Sequence, residues 1–144
     1  MKARTRLREE MKDDLMRVYR SVSQEGSYAT QTECYEAVVT HAAPRFYVDV
    51  RWAHQRISPL LRGDRSGLAK MPTLMREQYE DLFDIVVRLS QKEKFWGASL
   101  HHILRYAVQE PAPRFYISAT RMGQIWLEKV RKKRRAGIKC EGHA

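Results

Sequence analysis

The sequence predicts an all-α fold built from two tandem three-helix units and a basic C-terminal extension. Apolar residues recur at helical spacing in six stretches of the 144 residues. The word Ala-Pro-Arg-Phe-Tyr occurs at residues 43–47 and again at 112–116, 69 positions later. Half of the net charge of +10 falls in residues 128–144. Internal repetition of this kind indicates duplicated supersecondary units.

The repeat extends beyond the shared word. At the same offset Val39 matches Val108, and upstream, at an offset of 67, Asp13-Asp14-Leu15 matches Glu80-Asp81-Leu82. Agreement between helix pattern and cap residues favours duplication over a chance word. We therefore predict units at residues 1–62 and 73–130, a flexible or extended linker at 63–72, whose glycines, serine and charges suit one, and a tail at 131–144.

The first unit reads as three helices. The first, at residues 5–24, has an apolar stripe of Leu7, Met11, Leu15, Val18 and Val22. The second, at 31–41, starts with a capping box of Thr30 and Glu33, and Pro44 ends it. The third, at 50–58, is capped by Asp49 and ended by Pro59.

The second unit repeats this order. Pro72 precedes a helix at 73–91, Ser99 caps a helix at 99–109, and Ser118 caps a helix that starts at 119. No early proline interrupts this last helix, so we expect it to run through the basic block to about Gly137. No strand is predicted, and residues 45–48 read as a turn between helices.

A helix, a turn and a second capped helix, present twice, resembles the helix-turn-helix family of DNA-binding proteins. In that family the later helix enters the major groove and reads bases from its N-terminal residues. The resemblance implies base contacts by arginine with guanine and glutamine with adenine. The residues so placed are Arg51, Gln55, Arg56, Arg121, Gln124 and Lys129. Arg45 and Arg114, in the turns, would contact phosphates.

The repeated turn also has a purely structural interpretation. The proline ends a helix, and the two aromatic residues that follow pack the next helix against the first. Arg45 and Arg114 could likewise cap the carbonyl groups of the preceding helix. We favour the structural interpretation for the aromatic residues and leave both open for the arginines.

The basic block supplies the remaining candidate site residues, Arg131, Lys132, Lys133, Arg134 and Arg135. Such a run predicts contact with phosphates of DNA or RNA, or a nuclear-localisation signal in a eukaryote. The alternative is a solvated chain terminus.

Nothing in the sequence predicts an enzyme, a metal site or a cofactor. His101 and His102 are adjacent, so on a helix their side chains point about 100° apart and form no metal pair. No glycine-rich phosphate loop or nucleophile elbow is present. The acidic residues of the first helices, such as Asp13 and Asp14, alternate with basic ones, which predicts a solvated face.

The compartment is predicted from what the sequence lacks. No apolar run is long enough to span a membrane, and the charged start predicts no secretory signal. Cys34, in an apolar helical pattern, is predicted to be buried. We expect an intracellular protein, cytoplasmic or nucleoid-associated in a bacterium and nuclear in a eukaryote.

Two functions follow from these patterns. The first is a non-enzymatic protein that binds nucleic acid, most simply double-stranded DNA, as a regulator or an accessory factor of a mobile element or phage. The second is a helical subunit that docks on a larger polymerase, reverse transcriptase or recombinase and helps hold RNA or DNA. Exposure of Trp52, Trp96 and Trp126 on one face would favour the second function. The oligomeric state stays open.

Overall fold

The structure, a computed structural model, covers residues 3–141 and the side chains of residues 4–134. These residues form seven α-helices, one 3₁₀ helix and no strand, which confirms the all-α prediction. Across this range no helix has the length and apolar character needed to cross a membrane. The α-helices are α1 Ala3–Glu25, α2 Gln31–Val39, α3 Val50–Leu61, α4 Ser66–Ala69, α5 Thr73–Ser90, α6 Leu100–Ala107 and α7 Ala119–Glu141, and the 3₁₀ helix is Glu93–Phe95.

All four predicted side-chain caps are present. Each cap oxygen accepts a hydrogen bond from an N–H of the first helical turn: Thr30 from Glu33 (3.2 Å), Asp49 from Arg51 (2.9 Å), Ser99 from His102 (3.2 Å) and Ser118 from Arg121 (3.1 Å). These bonds satisfy N–H groups that have no partner within the helix. The capping box is shifted by one residue, since the Glu33 carboxylate accepts from the N–H of Ala29 at 3.0 Å rather than from that of Thr30.

Four predicted helix ends differ from the structure by two or more residues: α2 and α6 end two residues early, at Val39 and Ala107, and α3 and α7 end late, at Leu61 and Glu141. Helix α2 stops at Val39, before Pro44, and the Thr40 hydroxyl donates to the carbonyl of Glu36 at 2.7 Å. Helix α3 passes through Pro59 and ends at Leu61. Pro59 lies in the last turn, where its missing N–H removes one helical hydrogen bond. The Pro59 carbonyl still accepts from the N–H groups of Arg62 and Asp64 at 3.0 Å, which closes the helix.

The predicted linker contains a short helix. Residues 66–69 form α4, and Leu68, only 3% exposed, anchors it against α5. The Asp64 carboxylate accepts from the N–H and the hydroxyl of Ser66 at 3.0 and 2.7 Å. These hydrogen bonds lower the pKa of Asp64. The 3₁₀ helix, which the sequence did not predict, is held in the same way by the buried side chain of Phe95.

The helices pack in two lobes, because the two predicted units exchange their third helices. The first lobe contains α1, α2 and α7, and the second contains α3, α5 and α6. The third helix of each predicted unit therefore packs with the first two helices of the other unit. Buried side chains from both lobes form one continuous core.

The two copies of the repeated word contact each other where the two halves of the chain cross. Ala43 and Ala112 exchange both backbone hydrogen bonds, each 2.9 Å long. The rings of Phe46 and Tyr116 stack with centroids 6.0 Å apart, and the rings of Tyr47 and Phe115 do the same. Because Phe46 and Phe115 are fully buried, the aromatic residues have a structural role, but they pack the two copies of the word on each other and not, as predicted, the third helix of a unit on its first helix.

Each copy of the word, residues 43–47 or 112–116, forms a corner of the chain, and each corner is hydrogen-bonded to the first helix of its own unit. The Tyr47 hydroxyl donates to the Asp14 carboxylate, and the Tyr116 hydroxyl donates to the Asp81 carboxylate, both at 2.5 Å. Burial raises the pKa of both tyrosines, and the hydrogen-bonded carboxylates raise it further. Asp14 is only 7% exposed, so the prediction of a solvated acidic face is wrong at this residue.

Candidate nucleic-acid interface

Arg45 and Arg114 occupy matching places in the two corners. The Nε of each donates to the carbonyl oxygen of the following phenylalanine, Phe46 or Phe115, at 3.1 Å. Neither caps the preceding helix. Arg45 also lies 3.6 Å from the Glu10 carboxylate. Both arginines thus contribute to the corner itself, and Arg45 also borders a surface cavity.

Two adjoining cavities lie beside the starts of α1 and α3. Their volumes are about 290 and 570 Å³, and they share Leu7, Val48 and Asp49 as walls. We call this surface the arginine groove, because its walls carry Arg4, Arg6, Arg8, Arg45, Arg51 and Arg56.

Carboxylates offset little of this charge. Glu10 and Asp49 are the acidic residues that line the groove. Glu10 pairs with Arg45, whereas Asp49 caps α3 and lies 3.8 Å from Arg51. Among the side chains of residues 4–134, none places a carboxylate within ion-pair distance of the remaining four arginines, Arg4, Arg6, Arg8 and Arg56. The groove is therefore positive and attracts anions.

Trp52 lies among these arginines and is 44% exposed. The guanidinium carbons of Arg4 and Arg56 each lie 5.6 Å from the centroid of its ring. Arg56 also lies 5.2 Å from the centroid of the Tyr79 ring. A guanidinium held against an aromatic face keeps in-plane N–H groups with which it can bind a phosphate.

The predicted recognition residues differ between the two units. In the first unit Arg51, whose side chain is 84% exposed, and Arg56 line the groove, and Gln55 is exposed. In the second unit Arg121 lies 3.2 Å from Gln124 and 3.7 Å from Glu128. Lys129 lies 3.2 Å from Asp13 and 3.7 Å from Glu9. The charges of Arg121 and Lys129 are therefore largely offset by carboxylates of the protein itself.

The basic block is the C-terminal part of α7, as predicted. Arg131, Lys132, Lys133 and Arg134 are all exposed, and no ion pair with them is formed by the described side chains, whereas the side chain of Arg135 lies outside the described residues. Helix α7 runs antiparallel to α1, because Trp126 packs on Tyr19 (centroids 4.1 Å apart) while Lys129, later in α7, pairs with Asp13, earlier in α1. The block therefore extends toward the start of α1, where the arginine groove lies.

The contribution of α1 to the groove was not predicted from the sequence. Arg4, Arg6 and Arg8 are exposed and line the groove, although no binding role was predicted for them. A signal was present, since residues 1–8 contain four basic side chains and no acidic one.

The three tryptophans do not share one environment. Trp96 is 69% exposed, Trp52 lies in the groove, and Trp126 is half-buried against Tyr19. Tyr106, 50% exposed, contacts the buried Phe95, the residue before Trp96. Trp96 and Tyr106 are not among the residues that line the arginine groove.

Comparisons with protein-family models, curated proteins and solved structures gave no match to this chain. No group of three or more histidine, cysteine, aspartate or glutamate side chains within the described residues could hold a metal ion.

Proposed function

We propose that this protein binds nucleic acid without catalysis, through the arginine groove and the basic end of α7. One observation carries the proposal: seven exposed cations without an ion-pair partner among the described side chains lie toward one end of the molecule. They are Arg4, Arg6, Arg8, Arg131, Lys132, Lys133 and Arg134. Like charges concentrated at one end of a molecule repel each other, and a polyanion relieves their repulsion.

A comparison of the two halves supports a binding role for the groove. We infer that the halves arose by duplication, since both form the same backbone bridge and the same tyrosine–aspartate hydrogen bond. At the positions that match Arg4, Arg6, Arg8, Arg51 and Arg56, the second half has Met71, Thr73, Met75, Thr120 and Ile125. A corner of this kind therefore forms without these five arginines. Their presence in one half alone favours a function beyond folding.

Charge supports the proposal more than helix-turn-helix geometry does. Helix α2 packs on α1 and α7, whereas α3 packs on α5 and α6, so consecutive helices have different partners. Double-stranded DNA remains the first ligand to test, with phosphates bound by the arginine groove and the α7 block. Base contacts from the exposed Arg51 and Gln55 on α3 remain a prediction.

The test replaces Arg131, Lys132, Lys133 and Arg134 with alanine. Fluorescence anisotropy with random duplex DNA, single-stranded DNA and structured RNA is measured across a salt titration. Each phosphate contact contributes roughly −0.9 to the slope of log K against log salt for B-DNA, so the variant should lose up to about 3.6 of that slope.

The matched control also removes four exposed cations, none of which lines the groove: Arg20, Lys70, Lys92 and Arg105. It should retain most of the wild-type slope. Equal losses in the two variants would show that net charge, and not this surface, determines binding. If the wild-type chain binds no nucleic acid at low salt, the proposal is wrong.

The second candidate function is the helical subunit that docks on a larger nucleic-acid enzyme. The exposure of Trp96 and Tyr106 favours it, because aromatic side chains are enriched at protein interfaces. Absence of nucleic-acid binding by the isolated chain would favour this function over the first.

A further inference from the structure

We propose that the smaller cavity of the arginine groove holds one unpaired nucleotide of a nucleic-acid strand. This inference rests on the proposed function and adds a ligand class to it. The cavity volume is about 290 Å³, close to the lower end of ligand pockets, which span roughly 300–1,000 Å³. Its walls supply separate groups for a phosphate and for a base.

The phosphate is matched by three guanidinium groups. Arg4, Arg8 and Arg56 line this cavity, and Asp49 is its one acidic wall residue. The Asp49 carboxylate is already engaged, since it accepts the N–H of Arg51 at 2.9 Å and lies 3.8 Å from the Arg51 Nε. Three guanidinium groups facing one carboxylate leave the cavity with a net positive charge, and arginine binds phosphate in a bidentate manner.

The base is matched by Trp52 and its apolar neighbours. Leu7, Met11 and Met75 line the same cavity, and Gln78 supplies an amide that can both donate to and accept from a base edge. Arg4, in the first turn of α1, covers the Trp52 ring at 5.6 Å. A base that enters would take the place of this guanidinium on the ring, and the displaced guanidinium would bind the phosphate. Stacking on an aromatic face requires a base that is free of its complementary strand.

The second half does not repeat this cavity chemistry. Arg121 stands at the position that matches Trp52, and Ile125 stands at the position that matches Arg56. The nucleotide-binding residues are therefore a property of the first half and not of the repeated corner.

The test compares two tryptophan variants of the full chain, Trp52→Ala and Trp96→Ala. Binding of a fluorescein-labelled oligothymidylate and of a duplex of equal length is measured by anisotropy at one salt concentration. Trp52→Ala should weaken single-strand binding roughly 5-fold or more, the lower end of the range for loss of one stacked base, and change duplex binding less than twofold. Trp96→Ala, at the more exposed tryptophan outside the cavity, should change neither more than twofold.

Single-strand binding by Trp52→Ala within twofold of wild type overturns the nucleotide site. The α7 quadruple variant still tests the proposed function in that case, so the two failures are distinguishable. A second measurement needs no variant: thymidine 5′-monophosphate, thymidine and inorganic phosphate compete with the oligothymidylate for the wild-type chain. The monophosphate should displace it at the lowest concentration. Displacement no better than by inorganic phosphate would overturn the site as well.

Discussion

Removal of one tyrosine hydroxyl group from each corner measures how much the tyrosine–aspartate hydrogen bonds contribute to stability. Tyr47→Phe deletes the donor to Asp14, and Tyr116→Phe deletes the donor to Asp81. Phenylalanine keeps the ring, so the stacks with Phe115 and Phe46 remain. The change in the free energy of unfolding therefore reports mainly on the hydrogen bond.

The expected magnitude follows from the surroundings of each carboxylate. A hydrogen bond to a charged group contributes about 1.5–3 kcal/mol. Asp14 is the more buried carboxylate, which raises the cost of losing a partner, but it keeps Arg17 at 3.0 Å. Asp81 is more open to water, and the described side chains form no ion pair with it. These differences oppose each other, so we expect both variants to lose about 1.5–2 kcal/mol, or roughly 3–8 °C in Tm.

Urea unfolding, followed by far-UV circular dichroism and tryptophan fluorescence, measures the change. The midpoint should fall while the m-value stays constant, because the surface exposed on unfolding is the same. Tyr28→Phe is the matched control, since Tyr28 is 37% exposed and makes no hydrogen bond through its hydroxyl within the described residues, and it should change stability by less than about 0.5 kcal/mol. If both corner variants match this control, the hydrogen bonds do not stabilise the fold. A loss in one variant only would refute the matching role of the two corners.

Two further predictions concern pH and the linker. The pKa values of Tyr47 and Tyr116 are raised above the ordinary 10.0, so above about pH 10 the unfolded chain loses protons that the folded chain keeps. The free energy of unfolding should be insensitive to these tyrosines below pH 9 and should fall as pH rises past 10. Above pH 10 the free energy of unfolding of the wild-type protein should fall more steeply than that of the Tyr47→Phe/Tyr116→Phe double variant, with a difference in slope of up to about 2.7 kcal/mol per pH unit. Parallel pH curves of the two proteins would contradict this. Gly67→Ala, in α4 with nothing within 4 Å of the added Cβ, should stabilise by about 0.4–1 kcal/mol in the same urea assay. Gly63→Ala has equal space but φ +80°, so it should destabilise, and a loss in Gly67→Ala as well would show that α4 is not formed in solution.

The helices were predictable because their signals are local. Thr30, Asp49, Ser99 and Ser118 each precede an amphipathic stretch, and a cap bonds to N–H groups only two or three residues away. The linker helix was missed for the opposite reason. Its glycine and charges indicate irregular chain, and only the contact of Leu68 with the core makes the helical form favourable.

The candidate site was predictable in its residue types but not in its assembly. Arg51, Arg56 and the α7 block were identified from charge and position, and they remain the candidates. The neutralisation of Lys129 by Asp13 joins residues that are 116 positions apart, a pairing that no local pattern reveals. The burial of Asp14 depends in the same way on Tyr47, which reaches it from the corner.

The exchange of third helices means that neither half is closed by itself. Two copies of one half could each lend the other a third helix and form a twofold homodimer, with the Ala43–Ala112 bridge on its axis. Identical subunits would carry identical surfaces, so a groove on one side would appear on the other. A single chain that contains both copies is free of this constraint. It keeps the paired corners but has Arg4, Arg6, Arg8, Arg51 and Arg56 in the first half alone, so a framework with two matching corners carries the proposed binding surface once.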